Sequence, residues 1–194
     1  MFKIAVLAST NGTDLQAIID EMKAEQMPGI ELSVVVSNKE ECYALERAKE
    51  QGYEAVFVDP ADKSREEFDL EVAKILKDKE VDLVVLVGYM RILSQEFVRK
   101  FPKKIINVHP ALIPKFCGKD FFGQGVHEAV LEAKETETGM TIHYVDEGVD
   151  SGDIIVQKTC PVTPDDTADT LKDKVQALEK KWYPEVIRRL ASKV

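Results

Sequence analysis

Cysteine and histidine are scarce in this chain of 194 residues, three of each, and glycine is missing from the turns where several common sites would need it. Cys42, Cys117 and Cys160 are odd in number and far apart, with no CxxC pair and no Cys/His ligand spacing. That excludes a disulfide framework and gives no sign of a zinc site. Neither a dinucleotide fingerprint nor a P-loop is present, because the one turn suited to either carries a single glycine, Gly12. Basic residues are outnumbered, 26 Lys and Arg against 35 Asp and Glu, for a net charge of −9. A general nucleic-acid binder needs a basic face, so that class is set aside. No apolar run approaches the roughly 20 residues that span a bilayer, so no membrane segment is expected. The apolar part of the N-terminus is shorter than the roughly 7–15 residues of a signal h-region and reads better as a first strand. A reducing cytoplasm is the expected compartment, and the Asn11-Gly12-Thr13 sequon is idle there.

What is present is an alternation of short Val/Ile/Leu runs with amphipathic stretches. Residues 3–8, 31–37, 54–58 and 82–88 read as strands covered on both faces, the pattern of a parallel sheet. Between them, 14–26, 42–52 and 65–80 read as helices. In the third, Phe68, Val72, Ile75 and Leu76 share one helical face, and Ser64 with Glu67 has capping-box spacing. Thr13 and Gln16 have the same spacing at the first helix, and Gly52 follows the second as a C-cap glycine. Repeated strand–helix–strand units predict an α/β fold: a Rossmann-like, mostly parallel twisted sheet with helices on both faces. After Pro110 the pattern changes. Residues 111–125 carry no period and look like a functional loop, 126–134 a helix, 139–147 and 153–162 a hairpin. A long terminal helix follows, interrupted or kinked near Pro184. With no repeats or linkers, one domain over 1–194 is expected.

Two constellations carry chemistry. The polar turn from Ser9 to Asp14 joins a strand to a helix start, where unsatisfied amides and the helix dipole attract phosphate. An ordinary βα turn is the plainer reading, and the carboxylate of Asp14 would repel an anion. In "INVHPALIP", strand alternation sends Asn107 and His109 to one side and Val108 to the other. That pair is either buried with structural partners or the floor of an active site. Asp150, in the turn-rich "DEGVDSGD", could converge on it outside the carboxyl ends of the strands. An amide donor, an imidazole and a carboxylate suit a reaction that builds an oxyanion and moves protons. No serine sits where a Ser-His-Asp nucleophile would be expected, and Cys117 reads as incidental.

These residues carry a resemblance. "INVHPALIP" followed by "GMTIHYVDEGVDSGDIIVQ", with "VLASTNGTDLQAII", "SREEFD", "VVLVGYMRILSQEFV" and "VQALEKKWYPEVI", resembles the folate-dependent formyltransferase family over nearly the whole chain. The resemblance implies that fold, with its C-terminal hairpin and long terminal helix. It implies transfer of the formyl group of 10-formyltetrahydrofolate, as co-substrate and without a metal, to the amine of phosphoribosylglycinamide. Asn107, His109 and Asp150 would be catalytic. Asn11, Gly12, Thr13 and Asp14 would hold the substrate phosphate, and Glu179 would contact the glycinamide part. Arg65, Met90, Arg91, Ile92 and Leu93 would form the folate site. Small molecules are then the expected partners, with self-association left open.

The chain departs from the family in two places. The family's phosphate turn commonly reads Ser-Gly-x-Gly-Ser-Asn, where this chain has Thr10 and Asp14. Its loop "PKFCGKDFFGQG" is of a variant type, in which Lys119 could add positive charge. Another amine acceptor such as an amino sugar, hydrolysis of the formyl folate, or an idle folate-binding protein stay as alternatives.

Overall fold

The computed structural model describes residues 1–193; Val194, the end of the expected terminal helix, lies outside the described residues. Among the described residues seven strands form one sheet: β1 (Phe2–Ala8), β2 (Ile30–Ser37), β3 (Ala55–Phe57), β4 (Leu83–Val87), β5 (Ile105–His109), β6 (Glu137–Tyr144) and β7 (Ile154–Pro161). Their spatial order is β3-β2-β1-β4-β5-β6-β7. The first five are parallel, and β6 and β7 form an antiparallel hairpin on one flank. The order reverses between β1 and β4, so the loops leaving those strands diverge and open a crevice at their carboxyl ends.

Alternation along the strands builds two cores. Ile4, Val6 and Ala8 pack with α1 (Thr13–Lys23), α2 (Tyr43–Glu50) and α6 (Ala168–Ala191). Ala5 and Leu7 pack with α3 (Arg65–Asp78) and α4 (Gln95–Lys100) on the other face. Both faces of the central strands are thus dry, which is why they read as unbroken apolar runs. The remaining helix, α5 (Gln124–Glu132), lies against α6. Among the described residues no helix is long and apolar enough to cross a membrane.

Local signals held unevenly. Ser64 and Glu67 form the expected capping box of α3, the Ser64 hydroxyl accepting from the Glu67 amide at 3.1 Å. Thr13 and Gln16 do not. Gly12 is the N-cap of α1, with φ of 67°, and Thr13 is already helical. The side chain of Gln16 instead meets Asp20 and Arg47. A Cβ on residue 12 would come within 2.8 Å of the Ala44 Cβ, so both conformation and space select glycine there. The helix is not interrupted at Pro184: α6 runs through it as one helix of 24 residues. Its buried face, with Leu171, Val175, Tyr183, Val186 and Ile187, continues across the proline, so packing offsets the lost backbone bond.

Candidate active site

A cavity of about 820 Å³ opens outside the carboxyl ends of β1, β4 and β5. Its rim is braced by side chains that sequence reading passed over. The Ser9 hydroxyl donates to Asn38 at 2.6 Å and accepts the Met90 amide at 2.9 Å, tying the loop after β1 to the loop after β4. The buried carboxylate of Asp69 accepts the Ser94 amide at 2.5 Å, which fixes where the 90–93 segment turns into α4. Below, the fully buried Tyr183 hydroxyl donates towards the Leu86 and Ile106 carbonyls at 2.8 and 3.1 Å, pinning α6 under β4 and β5.

Strand β5 delivers the polar pair. Ile106 and Val108 face the core shared with α6, which sends Asn107 and His109 to the opposite side. Asn107 pairs in register with His143 on β6, so the two side chains share a face, with Asn107 Nδ2 3.4 Å from His143 Nε2. His143 Nδ1 lies 2.9 Å from the Tyr144 carbonyl, which assigns the proton to that nitrogen. Asp150 closes the group. Its carboxylate sits 3.5 Å from His109 Nδ1 and 3.6 Å from His143 Nε2, and it accepts the Gly118 amide at 3.0 Å. Residue 150 adopts a left-handed φ of 53°, a conformation costly for a non-glycine and held here by these contacts.

The electrostatics are opposed within this cluster. Burial pushes the His109 pKa down, and Asp150 and the Phe116 carbonyl only partly counter it. Burial works to raise Asp150, but the contacts with His143 and the Gly118 amide and the nearby His109 outweigh it and hold the carboxyl below its usual value. Asp150 is therefore a carboxylate at neutral pH, and His109 has acceptors facing both ring nitrogens. Such a group can donate to a developing oxyanion and relay a proton. The Cys117 thiol is pushed up, by burial and by Asp150, the reverse of what an activated nucleophile needs.

Of the residues singled out in the sequence, Asn11, Gly12, Thr13, Asp14, Met90, Arg91, Ile92, Leu93, Asn107, His109, Asp150 and Glu179 all line this cavity. Arg65 does not. It is exposed at the first turn of α3 and pairs with Glu66 at 3.2 Å, because its helix starts outside the crevice. Arg91 stacks over the Phe68 ring at 4.1 Å, with a buried Nε that has no partner. His127, Lys172 and Gln176 also line the cavity and were missed. Lys172, Gln176 and Glu179 recur at i, i+4 and i+7 on α6, a polar stripe that periodicity could have exposed.

A mostly parallel α/β sheet of this kind is also the architecture of solved proteins that this chain resembles. The family model for formyl transferases matches residues 2–187, and the chain belongs to that family. It is 39% identical to the phosphoribosylglycinamide formyltransferase of Haemophilus influenzae, over 97% of this chain and 86% of that protein. It is 42% identical to the trifunctional purine biosynthetic protein adenosine-3 of Drosophila pseudoobscura pseudoobscura over 98% of its own length, but spans only 14% of that relative. The crystal structure of glycinamide ribonucleotide transformylase 1 from Symbiobacterium toebii superimposes with a TM-score of 0.93 at 40% identity, covering 100% of this chain and 89% of that one.

Proposed function

We propose that this protein is a phosphoribosylglycinamide formyltransferase, moving the formyl group of 10-formyltetrahydrofolate to the amine of phosphoribosylglycinamide in purine biosynthesis. The observation that carries the reading is the convergence of Asn107, His109 and Asp150 on one cavity, in a chain that matches such enzymes along nearly its full length. One formyltransferase domain, working on two small molecules in the cytoplasm, would suffice.

The neutral amine attacks the formyl carbon, a C–N bond forms and the carbonyl oxygen becomes negative. Asn107 and His109 donate to that oxygen, each well-placed donor contributing about 3–4 kcal/mol to the transition state. Asp150 orients His109 and favours its charged form. The amine proton passes through this group to the folate nitrogen, whose bond to the formyl carbon then breaks, releasing tetrahydrofolate. The step balances without a metal or redox partner. Asn11, Gly12 and Thr13 supply donors for the acceptor phosphate at the start of α1, and Glu179 meets the glycinamide end. Met90, Arg91, Ile92 and Leu93 line the folate end, with Arg65 at most approaching its exposed tail.

A spectrophotometric assay with 10-formyltetrahydrofolate, with and without phosphoribosylglycinamide, tests this reading. Acceptor-dependent release of tetrahydrofolate is expected. Release without acceptor would replace the reading with a hydrolase. Release only with another amine, such as an amino sugar, would keep the chemistry and change the acceptor.

A further inference from the structure

The wall of the cavity beside the Asn11–Thr13 turn contains two carboxyls, neither of which touches the reacting atoms in the proposed transfer. Asp14, in the first turn of α1, is 6% exposed, and its Oδ1 is buried with no hydrogen-bond partner. Glu179, on the cavity face of α6, is 7% exposed. Both line the same cavity, and α1 packs directly on α6. Two carboxyls in one dry wall do not both ionise readily, and a pair of this kind loses its protons in two separated steps.

The surroundings do little to neutralise the pair. From α6, Lys180 is the charge that opposes protonation of both, and the Tyr183 hydroxyl is committed to two backbone carbonyls. Lys172 lies further along the same helix face, beside His127 of α5. From α2, Arg47 is taken up by the Asn11 carbonyl at 2.7 Å and by Gln16 at 3.0 Å. Lys39 lines the cavity after β2, and His109 faces it from β5. Burial raises both carboxyls, Asp14 to about 6, and the charge of Asp14 raises Glu179 further.

We propose that Asp14 and Glu179 hold one proton between them, and that this proton makes affinity for the anionic group of the acceptor depend on pH. While the pair carries a single negative charge, the amides at the start of α1 dominate and an anion binds. When the last shared proton leaves, two carboxylates face the same space and repel it. Asp14 is thus a specificity-determining residue, tuning the acceptor end without touching the reacting atoms. The proposal takes its acceptor from the formyl-transfer reading above.

The test compares the wild-type protein with Asp14→Asn and Glu179→Gln between pH 6 and 8.5. KM for phosphoribosylglycinamide and Kd for inorganic phosphate are measured, with kcat recorded separately to isolate the titration of His109. The ionisation of the ligand itself is common to all three proteins. Wild-type KM and phosphate Kd are expected to rise about ten-fold more across this range than those of either variant, the equivalent of one added repulsive charge near the anion. Parallel profiles in all three proteins would overturn the proposal while turnover upheld the transfer reading. No turnover with phosphoribosylglycinamide, with the phosphate profiles still diverging, would overturn the acceptor assignment and support the shared proton.

Discussion

The backbone carbonyl of Phe116 lies 2.7 Å from Nε2 of His109, while Nδ1 of the same ring faces Asp150 at 3.5 Å. Neither nitrogen is free to meet a substrate oxygen, so the donor role proposed for His109 would need the loop after β5 to give up this contact. The same loop grips the other end of the cluster through the Gly118 amide, 3.0 Å from Asp150. Gly118→Pro deletes that N–H and is incompatible with the φ of +96° found there. Asp150 then loses one of the contacts that lower its pKa, so the acidic limb of the kcat/KM profile should move to higher pH. A limb unchanged in position would show that the Gly118 amide does not tune Asp150.

Replacing His109 with alanine should lower kcat by roughly 10²–10⁴-fold. The ring is 4% exposed but serves the cavity rather than the two cores, so melting should shift by no more than about 5 °C. Circular dichroism and a thermal melt check this. Loss of folding would return the histidine to a purely structural role.

Asp14 also leaves a signature without any ligand. Its carboxyl is raised by burial from 3.8 to about 6, with Lys180 opposing, so the native state keeps a proton that the unfolded chain has lost. The stability this represents is complete below the unfolded value and disappears as pH rises through about 6. Urea unfolding at pH 4.5 and pH 7.5 should therefore show Asp14→Asn gaining on the wild type by about 2 kcal/mol at the higher pH. Equal pH dependence in the two proteins would mean that Asp14 is ordinary in the fold.

Tyr183→Phe removes the one hydroxyl shared by the Leu86 and Ile106 carbonyls. A loss of about 1–3 kcal/mol is expected, read as a lower urea midpoint at unchanged slope.

Much of this was legible in order along the chain. The unbroken apolar runs at β1, β2 and β4 announced strands buried on both faces, and Ser64 with Glu67 marked the start of α3. Asn107 and His109 were placed on one side of β5 by alternation alone. That His143 pairs directly with Asn107 depends on the register of β6 against β5, where a shift of one residue would turn it away. The Phe116 carbonyl is a backbone atom and has no sequence signature. Gly12 defeated a side-chain rule because its backbone conformation, invisible as composition, moved the cap one residue earlier. Asp14 was visible as a departure from the family turn, but its proximity to Glu179 depends on α1 packing against α6, elements separated by nearly the whole chain.

The order of elements also bears on synthesis. Helix α6 follows all seven strands, and it carries Lys172, Gln176 and Glu179, one wall of the cavity. In a ribosome-bound chain all seven strands, with Asn107, His109 and Asp150, are therefore translated before the wall opposite them. Until Tyr183 has emerged and docked under β4 and β5, such a nascent chain carries the polar cluster in its sequence but only part of the pocket around it.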